Sequence, residues 1–145
     1  MKTALDYLLV SGKNAYCRYF TFTQPSGYDM SAVGTSITLT KGDETIDIVY
    51  DKDKSIDDKA ADVGEVISSL KAQGFNPEVN DETKTLCGED AKFTEIKVSA
   101  NGKEAFIVSA LFEKNGVTYA CTYKTSKAGA NTGDFESIVN SISFR

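Results

Sequence analysis

The acidic segment from residue 51 to residue 62 is the part of this 145-residue chain whose side chains come nearest to a recognisable chemistry. Oxygen-bearing side chains occupy its first, third, fifth, seventh and twelfth positions: Asp51, Asp53, Ser55, Asp57 and Asp62. This is the ligand spacing of a calcium-binding loop, but the sixth position of such a loop needs glycine and is Ile56 here, and the twelfth is normally glutamate. Three lysines also lie among the acids. We therefore interpret the segment as a solvated connection into a helix and predict no metal-binding residues.

Other chemistry is limited by the residue types that the chain lacks. It has no histidine, which removes the commonest general base, the usual partner of a nucleophilic serine or cysteine, and the commonest imidazole metal ligand. Its glycines and serines form neither a phosphate-binding loop nor a nucleophile elbow. We predict a protein that is not an enzyme, with no catalytic residues and no cofactor. A carboxylate-dependent hydrolase is the alternative, because acids brought together by folding are invisible in a sequence.

The three cysteines, Cys17, Cys87 and Cys121, are dispersed and have no metal-ligand spacing. We expect them to be buried thiols on strands that act as small hydrophobic side chains. A disulfide between Cys87 and Cys121 is the alternative in an oxidising compartment, and it would leave Cys17 unpaired.

Charge and composition limit the class of partner. The net charge is −5 and only two residues are arginines, the side chain best suited to phosphate and guanine, so we expect no nucleic acid. No apolar run is long enough to span a membrane. Tyr28, beside the Ser26-Gly27 turn, is a candidate for a partner-binding patch, although tyrosines on strands are more often half-buried sheet residues. The partner-binding residues and the oligomeric state therefore stay unassigned.

The first ten residues bear on where the protein works. Asp6 interrupts their apolar patch, so they lack the continuous apolar core of a signal peptide. Read literally, the chain is cytoplasmic. The alternative is an exported or lipid-anchored cell-surface domain whose signal has been removed.

Hairpins are the strongest structural signals. Strands are predicted at 15–23, 36–41, 44–51, 91–99, 104–113 and 117–125. Two-residue turn signals connect several of them: Gly42-Asp43, Asn101-Gly102 and Asn115-Gly116. The last three strands therefore form an antiparallel meander.

Two helices accompany these strands. One is predicted at 57–73, with a capping box that begins at Ser55, a buried stripe of Ala60, Val63, Ile67 and Leu70, and Gly74 at its end. The second follows Asp134, where an apolar stripe contains Phe135, Ile138, Val139 and Ile142, and a terminal strand comes after it. A short helix is also predicted at 3–10.

The fold class follows from the strand at 104–113, which is apolar on both faces and so needs a layer on each side. We predict a single α+β domain over residues 1–145, an α/β/α sandwich in which the helices and loops cover a mainly antiparallel sheet.

The order of turns and apolar segments resembles that of the PsbP-like superfamily, which includes the extrinsic photosystem II protein, the yeast Ran-binding nuclear transport factor and many bacterial relatives. The segments that carry the resemblance are Phe20–Tyr28, Gly74-Phe75, Gly88, Asn115–Tyr119 and Phe135–Phe144. Residues 1–14 lie outside it, as an extension or the short helix. The resemblance implies an α/β/α sandwich and binding to other proteins, and it transfers no functional residue.

The leading functional hypothesis is a non-catalytic protein-binding module: an adaptor, a chaperone-like protein or a cell-surface accessory domain. The alternative is a small-ligand or ion-binding protein that uses a pocket between the sheet and a helix.

Overall fold

The computed structural model describes residues 6–100, 102–126 and 132–145, which form two antiparallel sheets and two helices. The strands are β1 (Leu9–Ser11), β2 (Asn14–Tyr16), β3 (Phe20–Thr23), β4 (Asp29–Val33), β5 (Ser36–Lys41), β6 (Glu44–Asp51), β7 (Glu78–Leu86), β8 (Glu89–Ala100), β9 (Lys103–Lys114), β10 (Val117–Thr125) and β11 (Ser143–Phe144). The helices are α1 (Ile56–Ala72) and α2 (Thr132–Asn140).

The large sheet has seven strands in the order β4-β5-β6-β10-β9-β8-β7, and every neighbouring pair is antiparallel. The predicted hairpins β5–β6 and β9–β10 and the predicted pairing of β8 with β9 are confirmed. Gly42 and Gly116 have positive φ, as turns that match the twist of a hairpin require. Asn101, in the third predicted turn, lies outside the described residues.

The small sheet has the strand order β1-β2-β3-β11 and packs, together with α2, on one face of the large sheet. Side chains alternate along β6, where Ile46, Ile48 and Tyr50 point into the space between the layers. Aromatic rings from both layers meet there, including Phe20 of β3 and Tyr119 of β10. This inner face of the large sheet, with the small sheet and α2, forms the hydrophobic core.

The predicted α/β/α sandwich is wrong. Strands account for 54% of the described residues and helices for 20%, and a second sheet occupies most of the layer that was assigned to helices. The predicted strand at 15–23 is broken by a tight turn, in which the Cys17 amide donates to the Phe20 carbonyl at 3.0 Å. The chain thereby folds back to pair β2 with β3, and this creates the extra sheet.

The N-terminal helix predicted at 3–10 is also wrong over the residues that the structure describes. Leu9–Ser11 is strand β1, which pairs with β2 across a two-residue connection at Gly12-Lys13. Gly12 has φ +61°, so the connection is a turn that glycine adopts without steric cost. Residues 3–5 lie outside the described residues.

Both predicted helices are present, and the ends of α1 confirm its capping signals. At the start of α1, Ser55 Oγ accepts from the Asp58 amide at 3.1 Å while Asp58 Oδ2 accepts from the Ser55 amide at 2.9 Å. At its end, Gly74 has φ +89° and the Phe75 amide donates to the Leu70 carbonyl at 3.0 Å. In α2, the predicted apolar stripe is buried at Phe135, Ile138 and Val139.

Replacing Ser55 with alanine should lower the free energy of unfolding by about 1 kcal/mol, because the Asp58 amide would lose its acceptor at the helix start. Urea denaturation followed by circular dichroism measures the change. Ser68→Ala, at an exposed position inside the same helix, is the matched control and should change stability by no more than about 0.5 kcal/mol. Equal midpoints for the two variants would contradict a stabilising cap.

Candidate functional site

The outer face of the large sheet is only partly covered by a helix. Helix α1 lies across β9 and β10 on this face, yet none of its residues is fully buried. The predicted buried stripe of Ala60, Val63, Ile67 and Leu70 is therefore wrong in degree, since each of these side chains is only partly buried. The helix packs loosely on the sheet and leaves an open space between its side and the strands.

This space is a groove of about 300 Å³, here called the α1 groove. Its wall is the side of the helix that carries Lys59, Asp62, Val63 and Val66. Its floor is formed by outward-facing side chains of four strands: Val49, Ile96, Ile107, Ser109, Leu111, Ala120, Thr122 and Lys124. Most of the surface is aliphatic, and two hydroxyl groups contribute polar atoms to the floor.

Two lysines lie at opposite ends of the α1 groove. Lys59 Nζ is 3.7 Å from Asp51 Oδ2, and Asp51 is paired with Thr118 in the register of β6 and β10. Lys124 lies six residues further along β10 and has no ion-pair partner among the described residues. At about 3.3 Å per residue, Lys124 is about 20 Å along β10 from Thr118, the residue that pairs with Asp51.

A second, polar cleft of about 370 Å³ lies where the N-terminal segment meets the end of β6. Arg18 Nε is 3.1 Å from Asp6 Oδ1, and the Tyr50 hydroxyl donates to the Asp6 carbonyl at 2.7 Å. Burial raises the pKa of Tyr50, so its phenol stays protonated and acts as a hydrogen-bond donor. The cleft joins the two sheets, and its hydrogen bonds serve that structural role.

The acidic segment considered as a calcium loop contributes to structure in three ways. Asp51 accepts from the Asp53 amide at 2.8 Å and pairs with Lys59. Ser55 and Asp58 cap α1, and the hydrogen bond from the Ser55 amide lowers the pKa of Asp58. In the part of the chain that the structure describes, no three His, Cys, Asp or Glu side chains are grouped so as to hold a metal ion.

The cysteines are free thiols in three different settings. Cys121 on β10 is buried as predicted, and Cys17 is buried in the turn after β2. Cys87 is a departure from the prediction, because it lies in a turn with φ +56° and is only partly buried.

Cys87 joins the β7–β8 turn to α2 and to the β9–β10 hairpin. Its amide donates to Asn140 Oδ1 at 2.8 Å, its Sγ donates to the Val139 carbonyl at 3.2 Å, and its carbonyl accepts from Lys114 Nζ at 2.7 Å. Burial raises its pKa to about 11. A protonated thiol in a hydrogen-bonded turn is a structural group, since the thiolate is the nucleophile.

Tyr28, the tyrosine proposed for a partner-binding patch, is buried, and its ring lies 5.3 Å from Lys41 Nζ. Exposed apolar side chains lie elsewhere, at a site that we call the corner patch: Tyr7 (43% exposed), Leu9 (39%), Val10 (53%) and Val33 (78%). The Leu8 amide donates to the Gly34 carbonyl at 2.8 Å, which brings the segment around β1 beside the β4–β5 turn.

Comparison with known proteins adds information about fold. No protein-family model matches the chain, and no curated protein matches it in sequence. A 1.50 Å crystal structure of a protein from Bacteroides thetaiotaomicron VPI-5482 matches with a TM-score of 0.60 and 14% identity, over 87% of this chain and 45% of that one. The chain thus spans less than half of that protein's length.

A second solved structure is that of a Pseudomonas aeruginosa protein of unknown function, PA94. It matches with a TM-score of 0.42 and 10% identity, over 77% of this chain and 90% of that one. Among the described residues, neither helix is long and apolar enough to cross a membrane.

Proposed function

We propose that this chain is a non-catalytic protein-binding domain that contacts its partner through the corner patch. The observation that carries this proposal is the grouping of exposed apolar side chains. Six large hydrophobic side chains are exposed among the described residues, and four of them belong to the corner patch. Scattered exposed hydrophobic residues are normal on a protein surface, whereas exposed apolar side chains concentrated in one region are typical of an interaction site.

The backbone beside the corner patch supports an extended partner segment. Strand β1 is an edge of the small sheet, and Ser11 pairs with Asn14 next to its turn. Because hydrogen-bonding direction alternates along a strand, the amide and carbonyl of Val10 face away from β2. An extended segment with aliphatic side chains would add to this edge and cover the patch.

The nine-residue edge strand β7 differs from β1 in the charge that it carries, and this difference favours β1 as the edge that pairs with a partner. Strand β7 is an edge of the large sheet and carries Glu78, Asp81, Glu82 and Lys84 over nine residues. Charged side chains are a common means by which proteins protect an edge from pairing. Strand β1, with Leu9, Val10 and Ser11, carries no charge.

Substitution of Val33 tests the proposal, because this side chain is the most exposed of the patch and a charge there has little effect on folding. Tagged wild type, Val33→Glu and Val79→Glu should be used to capture proteins from the source organism, and the captured protein should then be purified and titrated calorimetrically. Val79 is a matched control, an exposed valine on a strand far from β1.

We expect one partner to bind wild type and Val79→Glu equally and to bind Val33→Glu at least tenfold more weakly. A partner that binds all three proteins equally would place the contact elsewhere and overturn the assignment to the corner patch. Failure of wild type to bind any purified protein would overturn the protein-binding function itself.

Two further observations support the absence of catalysis in this proposal. Asp51 is paired with Lys59 and Asp58 caps α1, and Cys87 is a hydrogen-bonded thiol with a raised pKa. The resemblance to PsbP-like domains, whose members mostly bind proteins, stays a prediction that points the same way.

A further inference from the structure

We propose that the α1 groove binds a long-chain carboxylate, with the alkyl chain along the floor and the carboxylate at Lys124. This site lies on the outer face of the large sheet and uses α1, β6, β8, β9 and β10, so it shares no residue with the corner patch. The inference is therefore independent of the proposed protein-binding function.

The shape and the apolar surface of the groove fit an alkyl chain. Its aliphatic side chains come from both the helix and the sheet, with Val63 and Val66 opposite Val49, Leu111 and Ala120. At about 300 Å³ the groove lies at the lower end of the range of about 300–1,000 Å³ for small-molecule sites. Methylene groups in this space would be removed from water, as would the partly covered side of α1, and burial of both surfaces favours binding.

The charges around the groove favour an anionic head group. Lys124 has no ion-pair partner among the described residues, while Lys59 at the far end is already close to Asp51. Asp62 is the single acid among the residues that line the groove, against two lysines, of which Lys59 is already paired with Asp51. A carboxylate at Lys124 would be attracted, and an alkylammonium ion there would be repelled.

The positions of the lysines also set the direction of the ligand. Lys124 lies at the end of the groove near Ile107, its neighbour in the β9–β10 register. From there the floor continues along β10 through Thr122 and Ala120 toward the end at which Lys59 is held. The β10 part of the floor, from Ala120 to Lys124, is about 13 Å long at about 3.3 Å per residue and leaves room for an extended alkyl chain.

Fluorescence titration with cis-parinaric acid, below its critical micelle concentration, provides the direct test. We expect saturable binding to wild type and displacement by dodecanoate at a concentration at least tenfold lower than that needed with dodecyltrimethylammonium. No saturable binding would overturn the proposal. Equal displacement by the two competitors would do so as well, because it would show a purely apolar site without selection for the anion.

Variants locate the site. Val66→Trp should fill the groove and weaken parinarate binding at least tenfold, and Val66 is exposed enough for the substitution to spare the fold. Lys124→Glu should weaken it at least tenfold through repulsion. Lys13→Glu, with the same charge change in the exposed β1–β2 turn, is the control and should bind as wild type does. Thermal melts of each variant check folding.

Three results would overturn the assignment: unchanged binding by Val66→Trp, unchanged binding by Lys124→Glu, or equal weakening by Lys13→Glu. The last would mean that net charge, and not the position of Lys124, governs binding.

Discussion

Replacement of Phe20 by alanine should lower the free energy of unfolding by about 3–5 kcal/mol. Phe20 is fully buried on β3, and its ring lies 5.2 Å from that of Tyr50 and 5.8 Å from that of Tyr119, both edge-on. Because these tyrosines belong to β6 and β10, the substitution leaves a cavity where the two sheets meet. Domains are commonly stable by about 5–15 kcal/mol, so the loss is a large fraction of the total.

Chemical denaturation measures this loss, and Thr21→Ala is its control. Thr21 is the next residue on β3, is only partly buried, and pairs with Ser143 of β11. Its hydroxyl accepts from Arg145 Nη2 at 3.3 Å, a surface interaction whose loss should cost less than about 1 kcal/mol. A similar midpoint for the two variants would contradict tight packing between the small and large sheets.

The central hairpins could be predicted from sequence because their turns are specified locally. Asn115-Gly116 and Gly42-Asp43 provide residues that tolerate positive φ, and Asn115 and Gly116 both adopt it. The capping box at Ser55 and the end of α1 at Gly74 are equally local, so the bounds of this helix were predicted to within one residue. Each of these features depends on a few neighbouring side chains.

The small sheet and the two edges of the large sheet could not be predicted in the same way. Residues 15–23 alternate as one strand would, and only the hydrogen bond from Cys17 to Phe20 shows that the chain turns there. Strand β7 was missed because it has no apolar periodicity: its first six residues are exposed in succession, and the seventh is Lys84. Strand β4 was missed because it has only five residues, of which Met30 and Ala32 alone pack against the core. Pairing with a neighbour, and not sequence pattern, makes them strands.

The candidate sites depend on tertiary structure even more. Val66 and Lys124 are 58 positions apart, and they line one groove only because α1 crosses β10 on the outer face. Small or polar side chains alternate along β10, and Ala120, Thr122 and Lys124 of this set form part of the floor. Partial burial of α1 could not be predicted, because the same apolar stripe is compatible with a fully buried helix and with a partly buried one.

Alkaline pH should unfold the protein cooperatively. Burial raises the pKa of Tyr50, Tyr119, Tyr123 and Cys121, and raises that of Cys87 to about 11. In the unfolded chain, phenols lose their protons near pH 10 and thiols near pH 9. The folded chain keeps these protons to higher pH, so it binds more protons than the unfolded chain and loses stability as pH rises.

The stability from these groups should be fully present below about pH 9, the unfolded-state value for the thiols, and should fall progressively as the pH rises through 11 and beyond. Above pH 10 the free energy of unfolding should fall by about 1.4 kcal/mol per pH unit for each phenol that is ionised in the unfolded chain and protonated in the folded chain. Urea midpoints from pH 7 to pH 11 measure the fall, and phenolate absorbance in the same samples counts ionised tyrosines.

We expect the buried phenols among the seven tyrosines to ionise in one step that coincides with loss of structure by circular dichroism. Tyr119→Phe removes one of them and should make the fall in stability with pH less steep. Urea midpoints that stay constant to pH 11, or phenolate formation at Tyr119 in a protein that remains folded, would contradict the burial of these groups. The coincidence of ionisation and unfolding is the decisive observation, because exposed phenols titrate without any change in structure.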